Sequence, residues 1–142
     1  MIRAFFFLAT LSVGVQSYSS DLIKYYDGKL KLSPSELDSL CQWIILSKQS
    51  DYLMALAHYQ TAILLRRANH NFKAYERYGI ALQYLTQSDT LDNYLEFNIR
   101  RNQGVILKYQ GFPIEAASKH EEALPYAYAY KLSAGLSVKY NL

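Results

Sequence analysis

An all-α fold, built from antiparallel helical hairpins stacked on one another, is what this sequence predicts. Three observations carry that expectation. Apolar residues recur at three- and four-residue spacing along most of the chain, as one buried face of a helix requires. Serine, aspartate, proline and glycine interrupt those stretches where helices start and stop. The stretch from Ala62 to Tyr84 also matches the stretch from Gly104 to Tyr126 at one constant offset, without a gap. A period of that size marks a supersecondary unit packing on a copy of itself.

Residues 1–17, MIRAFFFLATLSVGVQS, carry one cation, Arg3, and then an apolar run from Ala4 to about Val15. That is the layout of a secretory signal peptide, and the run falls short of the roughly 20 apolar residues that span a bilayer. A leader cleaved near Ser17 and an exported protein, periplasmic or secreted, are therefore expected. The competing reading of the same run is a buried first helix. Residues 18–32 are polar and weakly patterned, and Gly28 breaks any long helix, so they read as a lead-in with a short helix at most.

A helical array is expected over 33–142. Ser33-Pro34-Ser35-Glu36 has capping-box spacing, with proline at the first helical position. Leu37, Leu40, Cys41, Ile44 and Ile45 then form one apolar stripe, ending near Gln49. Ser50-Asp51 starts a second helix that runs to about Ala68 and is apolar nearly all round, as a helix with neighbours on several sides must be. Asn69-His70-Asn71 breaks it, and Phe72, Tyr75, Tyr78, Leu82 and Leu85 mark a third. Ser88-Asp89 offers the cap of a fourth, longer helix reaching Gly111, which suits a left-handed helix end. Pro113 opens a fifth with Glu115 in its first turn, and Pro125 is expected to end or kink it at Leu124.

In the 42-residue match, Ala62 falls under Gly104, Asn69 under Gly111, Ala74 under Ala116, Ala81-Leu82 under Ala123-Leu124 and Tyr84 under Tyr126. Small side chains at these positions let neighbouring backbones approach. Counted from Phe97, Gly104, Gly111, Ala116 and Ala123-Leu124 take the eighth, fifteenth, twentieth, and twenty-seventh and twenty-eighth places of a 34-residue pattern that resembles the tetratricopeptide repeat. The resemblance places repeats near 55–88 and 97–130, a degenerate one before them, and the opening of another at 136–142. The eight residues between the two repeats are expected to lengthen the fourth helix. The chain departs from the family where His58, Thr61, Arg100 and Gln103 replace large apolar residues. Exported bacterial signalling proteins with such an array at their N-terminal end look similar, so the chain resembles the N-terminal part of one.

Composition narrows the chemistry. A net charge of +3 is too small for a phosphate-binding face, so no nucleic acid is expected. The single cysteine, Cys41, excludes an internal disulfide and lies in the apolar run LCQWII. His58, His70 and His120 make no metal spacing, and Gly79 and Gly104 lie inside helical patterns rather than in a phosphate loop. No serine or cysteine has a base at a recognisable spacing. A non-enzyme without catalytic residues, cofactor or metal is expected.

What remains is a surface. The resemblance implies that the first helix of each repeat lines a concave face, with contacts from Tyr59, Gln60, Ile63, Arg66 and Arg67 in one repeat. In the next they come from Asn98, Arg101, Asn102, Val105, Lys108 and Tyr109. It implies a non-catalytic module that binds a protein or peptide, and the cations suit an acidic one. Ile63 and Val105 stand where the family's carboxylate clamp has asparagine, so a free C-terminus is not the expected ligand. The alternative function is the sensory extracytoplasmic half of a truncated membrane-anchored bacterial regulator with a kinase or DNA-binding output.

Overall fold

A computed structural model describes residues 11–134, and the surroundings of side chains over 17–131. Among the described residues the fold is all-α, with six helices and no strand. They are α1 (Leu11–Tyr26), α2 (Pro34–Ser47), α3 (Asp51–Arg67), α4 (Asn71–Gln87), α5 (Asn93–Tyr109) and α6 (Pro113–Ala134). None is long and apolar enough to cross a membrane. Residues 1–10 of the expected leader and the expected repeat opening at 136–142 lie outside the described residues.

The 42-residue shift reaches down to single hydrogen bonds. Helix α3 and helix α5 each have 17 residues, with boundaries 42 apart, and α4 and α6 start 42 apart. Ser50 and Asp92 cap α3 and α5 in the same way, each side chain accepting from the N–H three residues on. Both helices end alike. His70 and Phe112 donate back to Leu65 and Leu107 at 2.9 Å, while Asn69 and Gly111 sit at φ of 63° and 88°. This is the Schellman ending, which satisfies the last carbonyls of the helix. Helix α1 closes likewise, with Gly28 at φ 75° and Lys29 donating to Lys24 at 2.7 Å. So α1 and α2 form a looser preceding hairpin, and the first part of the expected lead-in is helical. Leu22 is fully buried against the common core, and the Tyr18 ring lies 4.9 Å from that of Trp43.

The small residues face inward as expected. Ala62, Ala74, Ala81, Ala116 and Ala123 are all buried, and one core runs from Leu22 through Leu37, Leu56 and Tyr78 to Ile106. A smaller cluster joins α5 to α6 through Phe97, Ala123 and Ala127. Ala116→Leu or Ala123→Leu should therefore cost about 1–3 kcal/mol in a denaturant melt by overpacking, and a neutral result would contradict this packing. The two helical glycines should part company in the same assay. A Cβ on Gly104 would lie 2.8 Å from the His120 ring, whereas one on Gly79 meets only Gln103 at 3.7 Å. Gly79→Ala should raise stability by about 0.5–1 kcal/mol. Gly104→Ala should gain less than that, because the His120 ring must move aside, and His120→Ala should restore the difference.

Two expectations need correction. The fourth helix starts at Asn93, not at Ser88-Asp89, and is no longer than α3. Ser88 is spent on a turn, its hydroxyl accepting from the Thr90 N–H at 3.0 Å, and Leu91 is 82% exposed. Asp92 caps instead, so the added length is shared between long helices and a short linker. Pro125 does not stop the last helix, which continues to Ala134. The N–H that proline lacks would have bonded the carbonyl of Glu121, and both residues lie on the exposed side of the helix, away from its packed face. Ala123 and Ala127 hold the opposite side against Phe97.

Candidate partner-binding surface

Three helices meet at one carboxylate. Asp92 caps α5 by accepting from the Leu95 N–H at 2.9 Å, while its other oxygen accepts from the hydroxyls of Tyr52 at 2.7 Å and Tyr26 at 3.0 Å. One side chain thus ties the end of α1 and the start of α3 to α5. Burial, then the charge and hydrogen bond of Asp92, push the Tyr26 phenol well above its ordinary range. Burial and the same carboxylate do so for Tyr52. Only one sign of this site is visible in the chain itself: under the constant offset Asp92 is the counterpart of Ser50, an evident cap.

The polar departures from the repeat pattern also form equivalent pairs. His58 stacks on Tyr84, with ring centroids 5.5 Å apart and planes 9° from parallel. At the matching positions the Arg100 guanidinium lies 5.0 Å from the Tyr126 centroid. Arg100 also pairs with Glu96 at 3.0 Å and Glu122 at 3.2 Å, and Lys119 pairs with Glu122 at 3.3 Å. Burial alone would lower the Arg100 pKa, but the hydrogen bond to Glu96, Tyr126 and the two carboxylates together raise it. Thr61 donates to the Ala57 carbonyl at 2.9 Å. Gln103 lies buried facing Gly79 on α4.

The residues expected to meet a partner divide into interior and surface groups. Tyr59, Gln60 and Asn102 are buried. The Tyr59 ring sits 6.4 Å from that of Tyr26 and 6.0 Å from that of Tyr78, and burial raises its pKa above the ordinary range. Asn102 accepts from Arg66 through its side-chain oxygen, which links α3 to α5. Ile63, Asn98 and Val105 are half-buried, and the Asn98 amide donates to the Tyr94 carbonyl at 2.8 Å. Arg66, Arg67, Arg101, Lys108 and Tyr109 are more open, Tyr109 being 81% exposed.

Those cations fall into two pairs. Arg66 and Arg67 both act on the Tyr78 phenol, which burial nevertheless holds up at about 12. Arg101 and Lys108 both act on His120, whose pKa is lowered by burial first and by these two charges next. None of Arg66, Arg67, Arg101 and Lys108 pairs with a carboxylate among the described residues. Arg101, Val105, Lys108 and Tyr109 line a groove of about 450 Å³ between α5 and α6 together with Phe97 and Leu124, and His120 and Glu121 border it from α6. A larger groove, about 1000 Å³, runs between α2 and α4 over α3, bordered by Asp38, Glu76, Arg77 and Ile80.

Among the described residues no three of histidine, cysteine, aspartate and glutamate gather as a metal site would require. Cys41 is buried, and burial pushes its thiol up to about 12, far from the thiolate a nucleophile needs. Compared with known protein families, curated proteins and solved structures, the chain matches none.

Proposed function

We propose that this chain is a tetratricopeptide-type helical array that binds an acidic segment of a partner protein, without catalysis, along the cationic side of α3 and α5. The observation that carries this reading is that Arg101 and Lys108, neither paired with a carboxylate among the described residues, line one groove with Phe97, Val105 and Leu124, and that Lys108 is the 42-residue counterpart of Arg66. Carboxylates of a partner would meet Arg67, Arg101 and Lys108, while its apolar side chains would cover Val105, Phe97 and Leu124. The tight hairpins supply a surface formed before the partner arrives, so binding needs little rearrangement.

The test is fluorescence anisotropy with a labelled peptide of alternating glutamate and leucine, set against its lysine–leucine counterpart. The acidic peptide should bind, weaken as salt rises, and lose binding in the triple variant Arg67→Glu, Arg101→Glu, Lys108→Glu. That variant should stay folded with a modest loss, because the three side chains make no hydrogen bond or ion pair among the described residues and the reversals at Arg67 and Lys108, each in the last turn of its helix, cost about 0.3–1 kcal/mol apiece. Arg66 is left out of it, since Arg66→Glu would break the link to Asn102 and lower stability by itself. Equal binding of the two peptides, or capture retained by the triple variant, would overturn the reading.

A further inference from the structure

His58 is only 5% exposed, and its Nδ1 lies 3.0 Å from Nη1 of Arg77. A guanidinium only donates and stays charged at every pH the fold survives. So Nδ1 must be the bare, accepting nitrogen, and the single ring proton of neutral His58 sits on Nε2. A second proton arriving from solvent can bond only to Nδ1. It would destroy the hydrogen bond and set two cations at contact distance in a buried place.

We propose that His58 and Arg77 form an acid-operated latch on the α3/α4 hairpin. While His58 is neutral, Arg77 is held down onto α3. Once His58 takes a proton, the guanidinium is released into the groove that it borders between α2 and α4, where the carboxylates of Asp38 and Glu76 can receive it and outnumber the one other cation on the groove, Lys73. The charge acting on the ring is that of Arg77 on α4, and the other titratable group meeting it is the stacked Tyr84, also from α4. On α3 itself the residues one turn away, Met54, Ala55, Thr61 and Ala62, do not titrate. Burial first and Arg77 second bring the His58 pKa down to about 4, in agreement with the geometry.

The repeat confines the effect to one hairpin. At the matching position of α5 stands Arg100, a permanent cation countered by Glu96 and Glu122. Arg100 itself takes no further proton, and acid reaches that site only through the carboxylates of Glu96 and Glu122. The latch therefore predicts that mild acid loosens α3 and α4 first. Because the unfolded chain takes the proton near pH 6.5 and the folded one only near 4, the folding constant should fall by up to about tenfold per pH unit across that window.

Long-range 1H–15N NMR of the full chain, stepped from pH 7.5 to 4, reads the latch directly. His58 should appear as the Nε2–H tautomer and titrate below pH 5, and Arg77→Met should move that titration upward. Hydrogen exchange, corrected for the intrinsic rate at each pH, should show protection lost in α3 and α4 before α5. His58→Gln should flatten the acid loss of stability relative to the parent, and His120→Gln serves as the control for the other lowered histidine. The proposal is overturned if His58 titrates near 6.5, if Arg77→Met leaves its titration where it was, or if His58→Gln loses stability with acid as steeply as the parent. Where His58→Gln does not fold, the Arg77→Met titration decides alone.

Discussion

Asp92→Ala should destabilise the chain by about 2–4 kcal/mol, measured as the shift in a urea midpoint: loss of an N-cap costs about 1 kcal/mol, and each part-buried hydroxyl left without its acceptor adds about 1 more. Both hydroxyls, Tyr26 and Tyr52, depend on the same carboxylate. Asp92→Asn should recover much of the cap but serve only part of the tyrosine pair, and so fall between parent and alanine. Tyr26→Phe and Tyr52→Phe should each cost about 0.5–1.5 kcal/mol, and should cost less in the Asp92→Ala background, since the acceptor is already gone. Additive losses would mean that the three side chains do not act together.

The second large effect belongs to Tyr78, which is fully buried and touches Tyr59 across the α3/α4 hairpin. Tyr78→Ala should cost about 3–5 kcal/mol, the range for an aromatic removed from a close-packed interior. Tyr78→Phe keeps the ring and loses only the hydroxyl that Arg66 reaches, so about 1 kcal/mol is expected. A phenylalanine variant as damaged as the alanine one would make the polar link, and not the packing, the main support.

The same buried phenols set an alkaline limit. Tyr26, Tyr52, Tyr59 and Tyr78 all have pKa values raised above 10 by burial, with Asp92 adding to the first three. In the unfolded chain they ionise near 10, while in the folded chain they keep their protons. The unfolded state therefore binds fewer protons above pH 10, and stability is present below that pH and lost as pH rises past it. Ultraviolet titration of tyrosinate should show these rings ionising together with unfolding, well after the exposed tyrosines. Ionisation of all tyrosines at 10 with the helices intact would contradict the packing.

Much of the fold was legible because its signals are local. A capping box at Ser33, a glycine at 111 and an asparagine at 69 determine where helices start and stop without any help from tertiary structure. The internal match needed only the sequence, and it extends to the bonds that close each helix. What escaped was settled by neighbours. Ser88-Asp89 and Asp92 are both reasonable caps in isolation, and two distant tyrosines decide for the second. Pro125 reads as a stop until Phe97 is seen holding the far side of its helix.

The surface was half legible for the same reason. Exposure of Arg67, Arg101 and Lys108 follows from their charge, and that of Tyr109 from its place at the end of α5. Tyr59, Gln60 and Asn102 have equally polar tips, but they face the packed neighbours of α3 and α5. No periodicity within one helix reports that.

The repeating unit itself can be tested by excision. Removing the segment 51–92 joins Ser50, a helix cap, to Asn93, the first residue of α5, and should leave a shorter array in which α5 and α6 take the place of α3 and α4. Circular dichroism should then show undiminished helix content per residue and a cooperative melt, as expected when each unit packs only on its neighbours. The shorter excision of 51–84 instead joins Ser50 to Leu85 inside α4 and should give a broad, non-cooperative melt. If the two excisions melt alike, the period that relates α3 to α5 is not the unit of this fold.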